Sequence, residues 1–289
     1  MMDLPNIPES TIYNLIAQLQ QSLDKAGIYY RLFSRIKSPS SFNKKLTKKR
    51  TEKRDSYLLQ DLVGIRIVLY FLDDIDICDK LINETFKVDL PHCNISKPSK
   101  NTFNAIVHNY VCQLPDDIVQ SIGENIFVEY PIDKTFEIQI RTVFSEGWHE
   151  IEHDLRYKME DAWKNHENSE RTLNGIMATL ETCNWSIIAL FDDLAYQNYK
   201  SEEWEYMIRN KYRLHFSGNT INNELKDLMN NKENELAKKI FRIKREFVIP
   251  YFRKGIPLEL DNLIYVVCYL EKLDSLLTIP KPIKKILES

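Results

Sequence analysis

The sequence predicts an α/β (α+β) fold, with a mixed β-sheet of about five strands, flanked by helices and followed by a helical C-terminal region. Three observations support this prediction. Short runs of β-branched and aromatic residues alternate with amphipathic segments in the first half of the chain. One run, Phe136–Thr142, alternates strictly between apolar and polar side chains. Beyond Val143, apolar residues recur mostly at spacings of three and four, which is typical of helices.

In chain order, the first predicted element is an amphipathic helix over residues 10–30, opened by a Pro-Glu-Ser-Thr sequence that suits a helix cap. A strand over residues 64–71 follows, and then a helix from about residue 76 to 86. Three further strands are expected, and the last two are close enough to form a hairpin around Asp133 and Lys134. These three strands cover residues 103–114, 126–132 and 136–142.

Composition and length place the chain among ordinary globular proteins. With 289 residues, 43% hydrophobic and 28% charged, it can bury a substantial core in one large or two small domains. We predict two domains, residues 1–160 and residues 161–289. The apolar stripes of the second could form an internal core, a homo-oligomer interface or a regulatory surface, and the sequence leaves these alternatives open.

Cysteine usage and hydropathy indicate a cytoplasmic protein that does not enter the membrane. The five cysteines include no C-x-x-C pair, and the chain opens without a basic and apolar signal segment. No apolar run approaches the roughly 20 residues that span a bilayer. The cysteines are Cys78, Cys93, Cys112, Cys183 and Cys268.

The alternation in Phe136–Thr142 places Glu137, Gln139 and Arg141 on one face of the predicted strand. A row of charged and hydrogen-bonding side chains indicates a functional site. A strand with one solvated face explains the same pattern, and this segment alone does not separate the two interpretations.

Residues 35–45 predict a place where phosphates can bind. The residue before Pro39 is biased to an extended conformation, and Pro39 suits the first turn of a helix. Arg35 and Lys37 then share one side, while Ser41 and Lys45 share a helix face. Three cations and a hydroxyl converge near a helix N-terminus, which is a suitable place to hold a polyphosphate.

Two further features extend this prediction. Asp61 stands just before the strand that carries Arg66, and a carboxylate opposite phosphate-binding cations is what a Mg²⁺–nucleotide site requires. Residues 44–54 concentrate seven positive charges in eleven positions, although the net charge of the chain is −3. This basic segment suits either phosphate binding or an ordinary solvated helix face.

Together these motifs resemble the synthetase domain of the RelA/SpoT family, the alarmone synthetases that transfer pyrophosphate from ATP to the 3′-hydroxyl of a guanine nucleotide. The resemblance covers roughly residues 30–160, and the chain is similar to the family's small single-domain members. It implies a nucleotidyltransferase-like sheet and no hydrolase domain, since about thirty residues precede Arg35. The motifs lie at residues 35–45, 59–66, 97–103 and 137–142.

The resemblance also implies residue roles. ATP phosphates would be held by Arg35, Lys37, Ser41 and Lys45. Asp61 would bind Mg²⁺, and Glu137 would join it there or position and deprotonate the acceptor hydroxyl. The other catalytic residues implied are Arg66, Gln139 and Arg141, with the last two orienting Glu137 or contacting acceptor phosphates. The acceptor, GTP or GDP, would be bound by Lys97, Lys100, Phe103 and His108.

The acceptor loop departs from the family pattern. The family has Asn-Gly-Tyr and then a short run to His, whereas this chain has Asn101-Thr102-Phe103 and one extra residue before His108. Phe103 retains an aromatic face for a base. Some toxic family members use adenine nucleotides or the 3′ end of tRNA as acceptor, and the basic segment suits tRNA. Both remain alternatives to a guanine nucleotide.

Two interpretations from other functional classes also remain. His149-Glu150-Ile151-Glu152-His153 matches H-E-x-x-H, which on a helix would place both histidines on one side as in a zinc protease. Its third ligand is not evident; Glu167 and Glu170 are guesses. Alternatively, the domain could be a nucleotide-binding module without catalytic activity.

Overall fold

A computed structural model describes residues 7–53, 57–96, 107–273 and 275–289, with side chains of 50–53 outside that description. Within these ranges a five-stranded mixed sheet is flanked by helices and followed by a helical C-terminal region, which confirms the predicted fold class. The strands are β1 (Tyr30–Ile36), β2 (Val63–Leu69), β3 (Asn94–Ile95), β4 (His108–Gln113) and β5 (Thr135–Thr142). The α-helices are α1 (Glu9–Ala26), α2 (Pro39–Lys53), α3 (Ile75–Thr85), α4 (Asp116–Ile122), α5 (Ile126–Glu129), α6 (Val143–Ile151), α7 (Glu160–Trp163), α8 (Glu167–Lys200), α9 (Trp204–Tyr212), α10 (Asn223–Asn230), α11 (Leu236–Arg242), α12 (Arg245–Arg253), α13 (Leu260–Leu270) and α14 (Lys281–Leu287).

The sheet has the strand order β1-β2-β5-β4-β3. The central pair β2 and β5 is parallel, while the other neighbouring pairs are antiparallel. Strand β5 therefore has a hydrogen-bonded neighbour on each side. Among the described helices, none has the length and apolar character required to cross a membrane.

Strand register gives the sheet one polar face. Residues paired directly across neighbouring strands point to the same side, so the polar positions of β5 continue onto β1, β2 and β4. Glu137 and Gln139 therefore share a face with Arg35 and Arg66 of the neighbouring strands. One paired row is Arg35, Gly64, Glu137 and Val111, and the other is Phe33, Arg66, Gln139 and Asn109.

The opposite face carries the core of this part of the molecule. Ile65, Ile67, Ile138 and Ile140 are at most 1% exposed. Phe136 is fully buried on the same face, and its ring meets the ring of Phe86, which follows α3, edge to face at 5.2 Å. Burial of this face therefore determines the side to which Glu137 points, because neighbouring side chains of a strand alternate.

The expected strand over residues 126–132, and its hairpin with β5, are wrong. Residues Ile126–Glu129 form the short helix α5. Both edges of β5 are already paired, with β2 and with β4, so no position beside β5 remains for another strand. Tertiary pairing has overridden the local β-propensity of the isoleucine, phenylalanine and valine in this segment.

The first helix ends earlier than residue 30. Helix α1 stops at Ala26, because Gly27 adopts a positive φ of 72° and its N–H donates to Leu23 O at 3.0 Å. A glycine in this conformation after the last helical residue is a common helix C-terminus. The chain then enters β1 at Tyr30, so Tyr30, which was expected in the helix, lies in the sheet.

By its contacts the chain forms two compact units. The first comprises the residues up to Gln20 with Tyr30–Asn184, and the second comprises Gln21–Tyr29 with Trp185–Ser289. In the second unit the core of α13 is fully buried, and the Tyr212 hydroxyl donates to Ile240 O at 2.8 Å. The expected domain boundary near residue 160 stays a prediction.

We predict that Phe136→Ala lowers the free energy of unfolding by about 3–5 kcal/mol, because it leaves a cavity under the strand that carries Glu137. Urea denaturation measures this change. Val128→Ala is the matched control, since Val128 is 87% exposed and its truncation should change the free energy by less than about 0.5 kcal/mol. Equal stability of the two variants would contradict this account of the core.

Candidate functional site

Asp61 is held in place by backbone pairing just before β2. Leu59 N–H donates to Pro131 O and Asp133 N–H donates to Leu59 O, each at 2.9 Å. On the other side, Lys37 N–H donates to Leu62 O at 2.9 Å. These bonds bring the end of β1 and the residue Asp61 together although they are 24 positions apart in sequence.

The Asp61 carboxylate lies between two ammonium groups. Its Oδ2 atom is 2.9 Å from Lys37 Nζ and 2.5 Å from Lys45 Nζ. Burial by itself would raise the pKa of Asp61, but the two lysines outweigh burial and hold the pKa below its usual value. Burial would lower the pKa of Lys45, but the attraction of Asp61 overcomes it and raises that pKa. Both shifts stabilise the charged pair.

The start of α2 and the end of β1 form a pocket of 470 Å³, here called the cationic pocket. As predicted from the proline, α2 begins at Pro39; Ser41 N–H donates to Ser38 Oγ at 3.4 Å. Seven of the residues that line the cationic pocket are cations, and none is a carboxylate. The lining residues are Arg35, Ile36, Lys37, Ser38, Ser41, Lys44, Lys45, Lys48, Lys49, His153, Tyr157 and Lys158.

A second cavity of 380 Å³, here called the acidic cavity, adjoins the cationic pocket at Arg35, which lines both. Four carboxylates and two guanidinium groups line it. Arg35 reaches across β2 at Gly64, where a Cβ would lie 3.8 Å from Arg35 Cγ. The lining residues are Phe33, Ser34, Arg35, Asp61, Gly64, Ile65, Arg66, Glu137, Gln139, Glu146 and Glu150.

Glu137 is oriented by its neighbour on the same strand face. Gln139 Nε2 donates to Glu137 Oε2 at 2.9 Å, and both side chains are partly exposed in the acidic cavity. Of the residues predicted from the sequence, the structure thus brings Asp61, Arg66, Glu137 and Gln139 to one cavity.

Arg66 is held by two carboxylates, Glu146 and Glu150, and the sequence did not indicate this pairing. Arg66 NH1 donates to Glu146 Oε1 at 2.6 Å and also to Glu150 Oε1. Burial would lower the pKa of Arg66, but these two hydrogen bonds raise it. Glu146 and Glu150 both lie in α6, on the side of the helix that faces β2. They are four residues apart, and this helical spacing could have indicated a paired role.

Two other predicted site residues, Arg141 and His108, do not line the acidic cavity. Arg141 is buried and donates to Asn109 Oδ1 at 3.3 Å; burial and the neighbouring Arg66 lower its pKa. His108 pairs with Ile140, so it lies on the apolar face, where its Nδ1 atom is 3.3 Å from Asp79. The structure therefore does not bring His108 to the acidic cavity. Lys97, Lys100 and Phe103 lie outside the described residues.

The structure gives the zinc protease interpretation no support. Helix α6 ends at Ile151 and passes into a π-helical turn over Glu152–Arg156. His149 packs against Trp148 with ring centroids 5.3 Å apart, whereas His153 lines the cationic pocket. Across the parts of the chain that the structure describes, no three His, Cys, Asp or Glu side chains are grouped as metal ligands.

The donors present do suit Mg²⁺ bound together with phosphates. Asp61 Oδ1 is buried and has no hydrogen-bond partner among the described residues, while Oδ2 is held by the two lysines. Glu137 supplies a second carboxylate in the same cavity. Mg²⁺ typically takes one or two carboxylates and completes its shell with phosphate and water oxygens, so a third protein ligand is not needed.

Fold and site together define an α/β domain suited to holding a polyphosphate beside a carboxylate-lined cavity. Residues 34–162 match the family model described as the region found in RelA/SpoT proteins. This stretch of the chain therefore contains the region that RelA/SpoT proteins share, as its motifs predict. No protein of curated function matches the chain at a significant level.

The chain is also similar to several solved structures. One is a GTP pyrophosphokinase family protein from Streptococcus pneumoniae, 20% identical, covering 64% of this chain and 87% of that chain, with a TM-score of 0.46. Small alarmone synthetase 1 from Bacillus subtilis, bound to its product pppGpp, is 20% identical, with a TM-score of 0.45. The match covers 64% of this chain and 90% of that chain. Small alarmone synthetase 2 from the same organism is 18% identical, with a TM-score of 0.45. The match covers 62% of this chain and 92% of that chain.

We predict that Asp61→Asn lowers the free energy of unfolding at pH 7 by about 2 kcal/mol, because two lysines lose a charged hydrogen-bond partner. The pKa of Asp61 is depressed in the folded state, so its contribution is complete above the usual carboxyl pKa and is lost as pH falls through the folded value. The difference between wild type and variant should therefore shrink below about pH 4. Urea titrations from pH 3 to 7 measure it.

Asp161→Asn is the control for this titration, since Asp161 is 91% exposed and its described partner, Lys164, is itself 68% exposed. Its unfolding free energy should follow that of wild type at every pH. A difference between wild type and Asp61→Asn that stays constant from pH 7 to pH 3 would contradict the assigned charge of Asp61.

Proposed function

We propose that the protein is a Mg²⁺-dependent pyrophosphokinase that transfers the β,γ-pyrophosphate of ATP to the 3′-hydroxyl of a guanine nucleotide. The proposal rests on one observation, the contact of two cavities of opposite charge at Arg35. One cavity offers seven cations to a polyphosphate, and the other offers Glu137 to a hydroxyl. The match of residues 34–162 to the region found in RelA/SpoT proteins supports the same activity.

The donor fits the cationic pocket. Arg35, Lys37 and Lys45 surround the position where β and γ phosphates would lie, and Ser41 adds a hydroxyl in the first turn of α2. Charge-assisted hydrogen bonds from these groups stabilise the negative charge that builds on the transferred phosphoryl group. Because Asp61 already fixes both lysines, little reorganisation is needed when the phosphates bind.

Glu137 acts on the acceptor. The 3′-oxygen forms a bond to the β phosphorus of ATP, the bond from that phosphorus to the α,β-bridging oxygen breaks, and AMP leaves with the electron pair. The carboxylate of Glu137 accepts the proton of the 3′-hydroxyl, and Gln139 holds the carboxylate in position. Arg66, fixed by Glu146 and Glu150, supplies a cation beside the reacting groups.

Mg²⁺ is part of the proposal, with Asp61 and Glu137 as its protein ligands. When bound there with the phosphates of ATP, it would neutralise their charge. The buried oxygen Asp61 Oδ1 supports this assignment, since a buried acceptor is normally satisfied by a donor or a cation. We place the reaction in the cytoplasm, in agreement with five cysteines that are thiols rather than disulfides.

The acceptor is tested by supplying ATP labelled in its β and γ phosphates with Mg²⁺ and, separately, GDP, GTP, ADP, ATP or deacylated tRNA. We expect label on GDP or GTP and an equal amount of AMP. Label found only on adenine nucleotides or on tRNA would replace the guanine acceptor with that of the toxin-type relatives. No AMP with any acceptor would indicate a nucleotide-binding module without activity.

We predict that Glu137→Gln lowers kcat by about 10²–10⁴-fold, because the amide keeps the shape of the side chain and cannot accept the hydroxyl proton. The dissociation constant for ATP, measured without Mg²⁺, should change little, since Glu137 lines the acidic cavity and does not line the cationic pocket. Steady-state AMP release and equilibrium binding of ATP measure the two quantities.

Glu124→Gln provides a control, since Glu124 is 73% exposed, lines neither cavity and contacts Lys134 at 3.8 Å. This variant should keep the wild-type rate. Unchanged turnover in Glu137→Gln would remove Glu137 from the proposed mechanism.

A further inference from the structure

A small cavity lies between α8 and the C-terminal end of β5, within the first compact unit. Its volume of about 10 Å³ is the space of one water molecule. Helix α8 contributes Glu181 and Asn184 to the lining, and the end of β5 contributes Arg141 and Thr142. Most of the other lining side chains are apolar, so the few polar atoms in this cavity have few possible partners.

Two oxygen atoms at this cavity are acceptors that lack a donor. Glu181 Oε2 and Asn184 Oδ1 are both buried, and neither has a hydrogen-bond partner among the residues that the structure describes. Asn184 is only 3% exposed, so its amide oxygen has no access to bulk water. Buried acceptors are almost always satisfied in folded proteins. A donor is therefore expected between these two atoms.

The spacing of the two residues lets one of them supply that donor. Glu181 and Asn184 are three positions apart in α8, so their side chains are neighbours on one face of the helix. A carboxylic acid has an O–H donor, which a carboxylate lacks. One proton on Glu181 Oε2 therefore satisfies both atoms, because the acid then donates to the amide oxygen.

The charges around the cavity favour the neutral acid. Among the described residues that line the cavity, Arg141 is the only cation, and its NH1 group donates to Asn109 Oδ1 and Ile140 O. Glu181 Oε2 accepts nothing from it. Burial raises the pKa of the Glu181 carboxyl, which is the direction expected for an acid that no cation compensates.

We propose that Glu181 in its neutral form donates a hydrogen bond to Asn184 Oδ1, and that this pair makes the packing of α8 on the end of β5 sensitive to pH. Loss of the proton leaves a negative charge facing an amide oxygen in a cavity with mostly apolar walls, which weakens the packing. The affected strand end, Arg141 and Thr142, belongs to the strand that carries Glu137. The inference concerns this packing and does not depend on the proposed function.

Glu181→Gln tests the proposal, because the amide has an N–H donor at every pH and mimics the neutral acid. The raised pKa of Glu181 gives wild type its full stability below the usual glutamate pKa of about 4.3, and this stability is lost as pH rises through the folded-state value. We therefore expect nearly equal stability at pH 4. Above it, the folding equilibrium constant of the variant should gain on wild type by up to about tenfold per pH unit.

Urea denaturation from pH 4 to 8 measures this difference. Glu170→Gln is the matched control, since Glu170 lies in the same helix, is 43% exposed and is 3.5 Å from Arg156. This control should not gain stability over wild type as pH rises. If Glu181→Gln is less stable than wild type at pH 7, Glu181 is charged and satisfied by another donor, such as a bound water, and the proposal is overturned. A difference that is constant from pH 4 to 8 would overturn it as well.

Infrared spectroscopy gives a second measurement that does not depend on stability. The difference spectrum of wild type and Glu181→Gln at pH 5 should contain the C=O band of one protonated carboxyl, and this band should disappear as pH rises. Asn184→Leu fills the same space without an acceptor, so the band should move to higher wavenumber. Absence of the band at pH 5, or an unchanged band position in Asn184→Leu, would contradict the shared proton.

Discussion

The site depends on the charge of one carboxylate, Asp61, between two lysines that come from different elements. Lys37 follows β1, Lys45 lies in α2, and Asp61 precedes β2. Without the carboxylate the two ammonium groups would repel each other at the place where the start of α2 meets the sheet. The contacts of Asp61 with the two lysines therefore have a structural role, and they also hold two cations in position for an incoming polyphosphate.

The polar face of the sheet brings the proposed base close to this phosphate-binding region, since Asp61 and Glu137 line the same cavity. Alternation on β5 sends Ile138 and Ile140 into the core and leaves Glu137 and Gln139 on the polar face. Gly64 is paired with Arg35 of β1 on one side and with Glu137 of β5 on the other, and both side chains line the acidic cavity. One strand register thus brings a cation and a carboxylate together, although more than 100 residues separate them in sequence.

The sequence predicted the features that have a local signal. Strict alternation located the polar face of β5, and Pro39 located the start of α2, because both follow from backbone geometry over a few residues. The sequence did not predict the features that depend on tertiary packing. The helical segment at 126–129 reads locally as a strand, and only the full pairing of β5 excludes it.

The contacts of Arg66 with Glu146 and Glu150 were missed for a related reason. They require α6 to lie across β2, and nothing in the residues near Arg66 predicts that packing. The parallel rings of His153 and Tyr157 depend on a π-helical turn, which ordinary helical spacing does not reveal. The same spacing made His149 and His153 resemble a zinc motif, although the two residues have different surroundings.

The central claim is that pyrophosphate moves as one unit from ATP to a ribose hydroxyl. Phosphorus NMR of wild-type protein with Mg²⁺, ATP and GDP tests it most directly, because the signals identify the bond that breaks. The account predicts AMP and a guanine nucleotide with a new diphosphate on its 3′-oxygen, formed in equal amounts. Formation of ADP with phosphate, or of AMP with free pyrophosphate, would show hydrolysis instead of transfer and would contradict the account.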